Sequence, residues 1–299
     1  MNKRFLRSAG AVALAVAAAA SVTACSASPA ARPPAASYYL ALGDSLAQGV
    51  QPDANGTSVE TSQGYPDQVY AALRAGHHPG LRLARLGCPG ETTQTMMHGG
   101  ICRYGAGSQL AAATAFLRAH RGHVWLVTLD IGANDPENCG SQPSIAELAS
   151  CVRQMPKAAA NLTAILASLR AAAGPRVRIV GMSYYLPALA EWRSGTVGHA
   201  VAWLSEKAAL AYNNLLVHAY DRAGIKVADV FGAFATTDFG HPTAVSGMGS
   251  LPRNVARICQ WTWECAAPPR GPNQHANPAG YRVIASAILK AADPGISGP

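Results

Sequence analysis

Apolar runs of strand length alternate with segments of helical periodicity along most of this chain. Five apolar runs predict strands, at residues 38–42, 81–86, 123–131, 176–182 and 226–231. Apolar residues spaced three and four apart predict helices at residues 64–76, 106–121, 144–173, 197–223 and 278–291. Residues 232–273 show little periodicity and contain many Gly and Pro, which predicts a long surface excursion. Strands that alternate with helices predict right-handed crossovers and a parallel sheet covered on both faces.

The first 37 residues fall outside this alternation. A basic start, an Ala/Val/Leu-rich segment and the sequence Val22-Thr23-Ala24-Cys25 are typical of an export signal, which is cleaved and contributes nothing to the fold. Val-Thr-Ala-Cys also resembles the bacterial lipobox, whose Cys becomes the lipidated first residue. We therefore expect a lipoprotein signal peptide at residues 1–24, a flexible Ala/Pro/Ser-rich tether at 25–37 and one folded domain at 38–293. An ordinary secreted protein cleaved nearby is the alternative.

Composition and net charge limit the number of domains and the kinds of partner that we expect. About 260 residues after the tether suffice for one well-buried core, and no break in composition argues for two domains. The net charge is +8, of which Lys3, Arg4 and Arg7 contribute three. Since no run of Lys and Arg follows, this charge favours attraction to anionic surfaces over dedicated nucleic-acid binding. We expect an exported monomer that binds no nucleic acid.

The cysteines agree with export. Of seven in the chain, Cys25 is the candidate lipid anchor, and an even number remains, which indicates disulfides in an exported protein. Six cysteines allow 15 connectivities, but their spacing falls into three local pairs. The predicted pairs are Cys88 with Cys102, Cys139 with Cys151, and Cys259 with Cys265. A zinc site is the competing interpretation, but the chain has no Cys-x-x-Cys and no His-Glu-x-x-His motif, so we expect no metal.

Polar residues and glycines stand where the predicted strands end. The first strand stops on Gly43-Asp44-Ser45, the second runs into a loop with Gly90, and the third stops on Gly132-Ala133-Asn134-Asp135. His275 lies just before the last predicted helix. Ligand sites lie outside the carboxyl ends of parallel strands, and a serine placed there can act as a nucleophile. Gly, Asp and Ser are also ordinary turn residues, so no single motif suffices.

Together, in this order, the four motifs resemble the blocks of the SGNH hydrolases, the GDSL esterase and lipase family. The blocks are Gly43-Asp44-Ser45-Leu46, Cys88-Pro89-Gly90-Glu91-Thr92, Gly132-Ala133-Asn134-Asp135, and His275-Ala276-Asn277-Pro278. The resemblance runs from Tyr38 to about Ala291. The long loop before the histidine and the three cysteine pairs look most like the secreted actinobacterial members. The resemblance implies a three-layer α/β/α fold of flavodoxin-like type, with a five-stranded parallel sheet, and hydrolysis of carboxylic esters.

The resemblance also implies a role for each block. Ser45 would attack the ester carbonyl, and His275 would take its proton and return it to the leaving alcohol. The backbone N–H groups of Ser45 and Gly90 and the side-chain amide of Asn134 would stabilise the oxyanion. Asp44 and Asp135 are expected to hold their loops by accepting backbone N–H groups. This chemistry needs no cofactor. The expected partners are a small-molecule or lipid ester and, through Cys25, a membrane.

One departure from the family pattern affects the base. Members normally have Asp three residues before the histidine, where it orients the imidazole, but Pro272 stands there. We therefore expect the backbone carbonyl of Pro272 to orient His275, as in some members of the family. His241 is a rival base because Asp238 lies three residues before it, although no helix is predicted to follow. The missing Asp keeps a second function open, that of a surface lipoprotein that binds an acylated or glycan ligand without cleaving it.

Overall fold

The structure is a computed structural model, and it describes residues 37–76, 78–135 and 145–293. The predicted signal peptide, Cys25, almost all of the tether and Cys139 lie outside the described residues. Export, lipidation and the pairing of Cys139 with Cys151 therefore stay predictions. Within the described residues, no helix combines the length and the apolarity needed to cross a bilayer.

Strands and helices alternate along the described chain as the sequence predicts. In chain order the elements are β1 (Ser37–Gly43), β2 (Gln51–Pro52), β3 (Ser58–Val59), α1 (Tyr65–Gly76), β4 (Leu81–Arg85), α2 (Thr93–His98), α3 (Gln109–Ala119), β5 (Val124–Asp130), α4 (Ile145–Ala173), β6 (Arg178–Met182), a 3₁₀ helix (Pro187–Ser194), α5 (Gly195–Arg222), β7 (Lys226–Ala228), α6 (Val230–Ala233), β8 (Pro242–Val245), β9 (Gly249–Pro252), α7 (Arg253–Trp261) and α8 (Pro278–Ala292).

The five strands that the sequence predicts form one parallel sheet in the order β4-β1-β5-β6-β7. Helix α4 packs against both α3 and α5, and α1 packs against α8. Right-handed crossovers place these two groups on opposite faces, because the chain steps one way from β1 to β4 and the other way from β4 through β5 and β6 to β7. The predicted three-layer α/β/α fold is confirmed.

The core lies on both faces of β1 and β5, two interior strands of the sheet. Leu40 and Leu42 on β1 and Leu126 and Leu129 on β5 are completely buried. Such continuous burial is expected for strands that are covered on both faces, and it explains why these runs lack polar alternation. Because β1 and β5 are neighbours, with Gly43 paired to Asp130, the loops that follow them meet at one edge of the sheet.

Two segments differ from the expected pattern. The strand predicted at residues 226–231 ends at Ala228, because the Asp229 carboxylate accepts the Gly232 N–H at 2.8 Å and caps the short helix α6. The excursion at residues 232–273 contains the hairpin β8–β9 and the helix α7. The hairpin turns through Gly247 and Gly249, which have φ of +73° and +76°. A run rich in Gly and Pro therefore folds into local structure here.

Two of the three predicted disulfides are confirmed. Cys88 is bonded to Cys102, and Cys259 is bonded to Cys265. The first ties the loop after β4 to the segment before α3, and the second ties the end of α7 to the loop that leads to His275. Both therefore fasten loops at the sheet edge where the sequence motifs converge.

Candidate active site

Ser45 stands on a tight turn at the carboxyl end of β1. Gly43 has φ of +132°, and a Cβ there would lie 2.0 Å from the Asp130 carbonyl oxygen, so the close approach of β1 to β5 requires glycine. The amides around Ser45 are occupied. Leu46 N–H donates to Asp44 Oδ1 at 2.9 Å, and Ala47 N–H donates to Asp130 Oδ2 at 3.1 Å. In the part of the chain that the structure describes, Ser45 N–H meets no acceptor, so it can donate to a ligand.

His275 reaches this turn from the opposite end of the chain. Its Nε2 lies 3.0 Å from Ser45 Oγ, across a separation of 230 residues. The His275 loop, residues 262–277, is held by its own backbone, since Trp263 N–H donates to the His275 carbonyl at 3.0 Å. Tyr185 also donates its hydroxyl to the Gln274 carbonyl at 2.9 Å. Asn277 then caps α8 by accepting two backbone N–H groups. The position of the imidazole is therefore fixed by contacts of the residues before it and after it in the chain.

The partner of His275 Nδ1 differs from the predicted one. In place of the Pro272 carbonyl, the side-chain oxygen of Asn273 lies 2.8 Å from Nδ1. The same oxygen accepts the His275 backbone N–H at 3.0 Å, and the Asn273 amide donates to Ser58 Oγ at 3.1 Å. An Asx-type turn explains the difference, because an amide two residues before the ring can bond the main chain and the imidazole together.

These contacts and the burial of the ring determine the tautomer and the protonation of the His275 imidazole. Asn273 Oδ1 can only accept, so Nδ1 carries the hydrogen, and the lone pair of Nε2 faces the Ser45 hydroxyl. Burial lowers the pKa of His275 to about 4, because the charged imidazolium loses hydration. The ring is therefore neutral near pH 7 and can accept a proton from the serine.

Asn134 and Gly90 belong to the same group of loops. Asn134 Nδ2 donates to the Glu91 carbonyl at 3.0 Å, which joins the loop after β5 to the loop after β4. That bond uses one of its two amide hydrogens, and among the described residues the other meets no acceptor. Gly90 is exposed and has φ of +81°, a conformation that glycine adopts without strain. The Asp135 carboxylate accepts the Thr93 backbone N–H at 2.8 Å, the loop-holding contact that the sequence predicts.

Gln109 is a supporting residue that the sequence does not reveal. At the start of α3 and fully buried, it accepts the Gly43 N–H at 2.7 Å and donates to the Gly43 carbonyl at 2.9 Å. Its amide also donates to Glu91 Oε2 at 3.0 Å. Gln109 thus ties the Ser45 turn to the loop that carries Gly90. No local pattern marks a residue so far from both in sequence.

The rival histidine lies in a different setting. His241 Nδ1 is 2.8 Å from Asp238 Oδ1, and its side chain is 67% exposed. Arg253 also contacts Asp238, at 2.8 Å. The Asp-x-x-His spacing therefore forms a surface ion-pair cluster, whereas the ring that meets Ser45 is that of His275.

Comparison with known proteins identifies the family and the fold. The sequence profile described as the GDSL-like Lipase/Acylhydrolase family matches residues 41–283. A search of curated protein sequences finds no match. Among solved structures, the chain resembles an extracellular lipase from Streptomyces rimosus, with 20% identity, a TM-score of 0.57, and coverage of 86% of this chain and 100% of the other.

Two further solved structures share the fold. The lipase Lip_vut3 from a goat rumen metagenome is 16% identical, with a TM-score of 0.53 and coverage of 87% of this chain and 98% of the other. Axe2, an acetylxylan esterase from Geobacillus stearothermophilus, is 16% identical, with a TM-score of 0.50 and coverage of 86% and 94%. At such identities the likeness concerns the fold.

Proposed function

Because the chain belongs to the GDSL-like lipase/acylhydrolase family, we propose that it is an SGNH-type serine esterase that cleaves carboxylic esters through an acyl intermediate on Ser45. The observation that supports this proposal most directly is the 3.0 Å contact between Ser45 Oγ and His275 Nε2. Asn273 holds the other ring nitrogen of His275. A hydroxyl that donates to a neutral, buried imidazole is the arrangement that nucleophilic acyl transfer requires.

The reaction proceeds in two halves. Ser45 Oγ attacks the ester carbonyl while its proton passes to His275 Nε2, and the imidazolium then protonates the leaving alcohol. Water enters, gives a proton to the same nitrogen and attacks the acyl-Ser45 carbonyl. Collapse of the second tetrahedral intermediate releases the carboxylic acid and returns the proton to Ser45. Ser45 supplies the nucleophile and His275 the base in both halves, and the substrate and water supply the remaining groups.

Three hydrogen-bond donors would stabilise the negative charge that develops on the substrate oxygen. Within the described residues, the N–H of Ser45 and the second amide hydrogen of Asn134 meet no acceptor, which supports their use for this purpose. Gly90 N–H completes the set on the basis of the family resemblance. Preorganised donors of this kind are among the largest contributions to acyl-transfer rates.

Asn273 takes the place of the usual carboxylate. It fixes the tautomer of His275 but offers no full negative charge to the imidazolium that forms during the reaction. A neutral orienting group also keeps the histidine easy to deprotonate. We therefore infer a base that stays in its working form down to acidic pH.

This role of Asn273 predicts a pH effect. In Asn273→Asp a carboxylate lies beside Nδ1 and stabilises the imidazolium, so the pKa of His275 rises and the acid limb of kcat/KM moves up by about 1–2 pH units. Activity at pH 4–5 falls while activity at pH 8 is retained. Ser58→Ala, which removes only the contact to the Asn273 amide, is the control and should leave the acid limb in place. An unchanged limb in Asn273→Asp would show that Asn273 does not orient the base.

We propose that the enzyme is of the secreted actinobacterial type and acts outside the cytoplasm as a monomer, tethered to a membrane through lipidated Cys25. The lipobox-like Val22-Thr23-Ala24-Cys25 supports the anchor. The two disulfides are compatible with an oxidising compartment. The substrate is then a small-molecule or lipid ester that reaches the outer surface.

The direct test is covalent labelling combined with turnover. The domain from Ser37 onward is incubated with a fluorophosphonate probe and, separately, with p-nitrophenyl esters from acetate to palmitate. We expect the probe mass on the tryptic peptide that contains Ser45, and turnover whose dependence on acyl length defines the substrate class. A folded protein that neither labels nor cleaves any ester would instead favour the ligand-binding lipoprotein.

A further inference from the structure

Two carboxyl groups lie buried directly beneath the Ser45 turn. Asp44 and Asp130 have 1% and 0% of their surface exposed. Asp130 Oδ2 is 3.3 Å from the Asp44 backbone nitrogen, so the two residues are in direct contact. Within the described residues, the ion pairs formed by Lys, Arg and His involve neither of them. Two adjacent carboxylates without a cation cannot both remain ionised in a dry site at low cost.

The two carboxyls hold most of the turn between them. Asp130 Oδ2 accepts the N–H groups of Ala47 and Asp44, and Asp130 Oδ1 accepts the Tyr65 hydroxyl. Asp44 Oδ1 accepts the N–H of Leu46. The amides on either side of Ser45 are therefore fixed, and the Ser45 amide alone among positions 44–47 is left to face a ligand.

We propose that Asp44 and Asp130 share one proton, and that this singly charged pair positions the Ser45 N–H and hydroxyl for catalysis. The proposal deepens the proposed function, and its catalytic half rests on that function. Asp44 and Asp130 are positioning residues, since they act on Ser45 through the backbone. The second member of the pair, Asp130, stands at the end of β5, four residues before Asn134.

The surroundings of Asp44 and Asp130 favour one negative charge on the pair over two. Burial raises the pKa of Asp44 to about 6. Burial, and then the negative charge of Asp44, raise the pKa of Asp130 well above its usual value. Asp135 adds a further negative charge near Asp44.

The remaining titratable groups around the pair are tyrosines, whose pKa burial raises so that they stay neutral. They are Tyr39 on β1, Tyr65 on α1, Tyr184 and Tyr185 after β6, Tyr212 and Tyr220 on α5, and Tyr281 on α8. Arg85 faces Tyr39. Loss of the shared proton would therefore place two repelling charges under the turn with only neutral donors around them.

The test measures thermal stability against pH, which is independent of hydrolysis. Because the folded pKa values lie above those of the unfolded chain, the folded protein binds more protons, and stability falls as pH rises from about 4 through the folded values. Asp130→Asn keeps the shape and removes one titrating group. We expect the wild type to lose several degrees more in Tm between pH 5 and pH 9 than Asp130→Asn does.

Two controls keep the result specific. Glu206→Gln removes a carboxyl that is equally buried, at 1% exposure on α5, but lies outside the pair, and its Tm profile should parallel the wild type. Asp44→Asn removes the other member and should flatten the profile as Asp130→Asn does. If neither variant folds, infrared spectroscopy of the wild type decides, since a shared proton requires a protonated carboxylic acid band at pH 7. The absence of that band, or profiles parallel to the wild type in both variants, would overturn the proposal.

Activity gives the second readout. In an active wild type, kcat should fall on the alkaline side as the shared proton is lost, with KM nearly constant, and Asp130→Asn should lack this fall. Asp130→Leu has no side-chain acceptor for the Ala47 N–H, while the Asp44 N–H keeps its 3.0 Å bond to the backbone carbonyl at position 130, and this variant should lower kcat at least tenfold at pH 7. An alkaline fall that persists in Asp130→Asn contradicts the positioning role. A protein with the expected stability profile but no labelling of Ser45 would instead contradict the proposed function.

Discussion

Ester hydrolysis is expected to fall by about 10⁴ to 10⁶ in kcat when either Ser45 or His275 is replaced by alanine, and the double variant should be no slower than the worse single one. The reason is that the two side chains act as one unit. Without the hydroxyl there is no nucleophile, and without the imidazole 3.0 Å away the hydroxyl keeps its proton. The measurement is the initial rate on p-nitrophenyl acetate, with circular dichroism to establish folding.

His241→Ala is the matched control for His275→Ala. His241 has its own carboxylate partner, and its ring is mostly exposed, so its removal should change kcat less than about twofold while the 10⁴-fold loss is confined to His275. The two histidines lie in the same C-terminal third of the chain, which makes the comparison fair. If His241→Ala is the inactive variant, the base is misassigned and the Asp-x-x-His spacing would be the correct signal.

Replacing Asn134 by alanine is expected to lower kcat by about 10² to 10³ with little change in KM. Its free amide hydrogen would bond the substrate oxygen most strongly when that oxygen carries charge, so the loss falls on the transition state. Initial rates over a range of ester concentrations separate kcat from KM.

Asn161→Ala controls for damage to the surrounding network. Asn161 donates to Thr93 Oγ1 at 3.0 Å, and Thr93 also binds Asp135 next to Asn134, so both variants disturb the same loop. Asn134 lies on the loop after β5 and is the residue expected to reach the substrate oxygen, whereas Asn161 lies on α4. Equal losses in the two variants would mean that Asn134 supports the loop and does not contact the oxyanion.

The sheet and its helices could be predicted because their signal is local. The runs that became β1 and β5 are apolar on both faces, and such runs, separated by helical periodicity, admit few architectures. The positions of Ser45, Asn134 and His275 could be inferred because each lies at an element boundary, and parallel strands bring such boundaries to one edge.

What the sequence could not predict depends on contacts across the fold. Asn273 was missed as the His275 partner because the family pattern drew attention to Pro272, although an Asn shortly before a functional residue is an Asx-turn signal. Gln109 and Asp130 gain their roles only when α3 and β5 pack under the Ser45 turn. The hairpin β8–β9 was hidden because its Gly and Pro residues are equally typical of irregular loops.

The distance between Ser45 and His275 along the chain has a consequence for biosynthesis. A chain is made from its N-terminus, so the segment containing Ser45 exists long before the residue that activates it. The imidazole arrives only with the His275 loop, and α8 then locks onto the early part of the fold, where Tyr281 donates its hydroxyl to the Val50 carbonyl at 2.9 Å. Under the proposed mechanism, a nascent or prematurely terminated chain carries an unactivated serine, and reactivity toward esters is acquired as one of the last steps of folding.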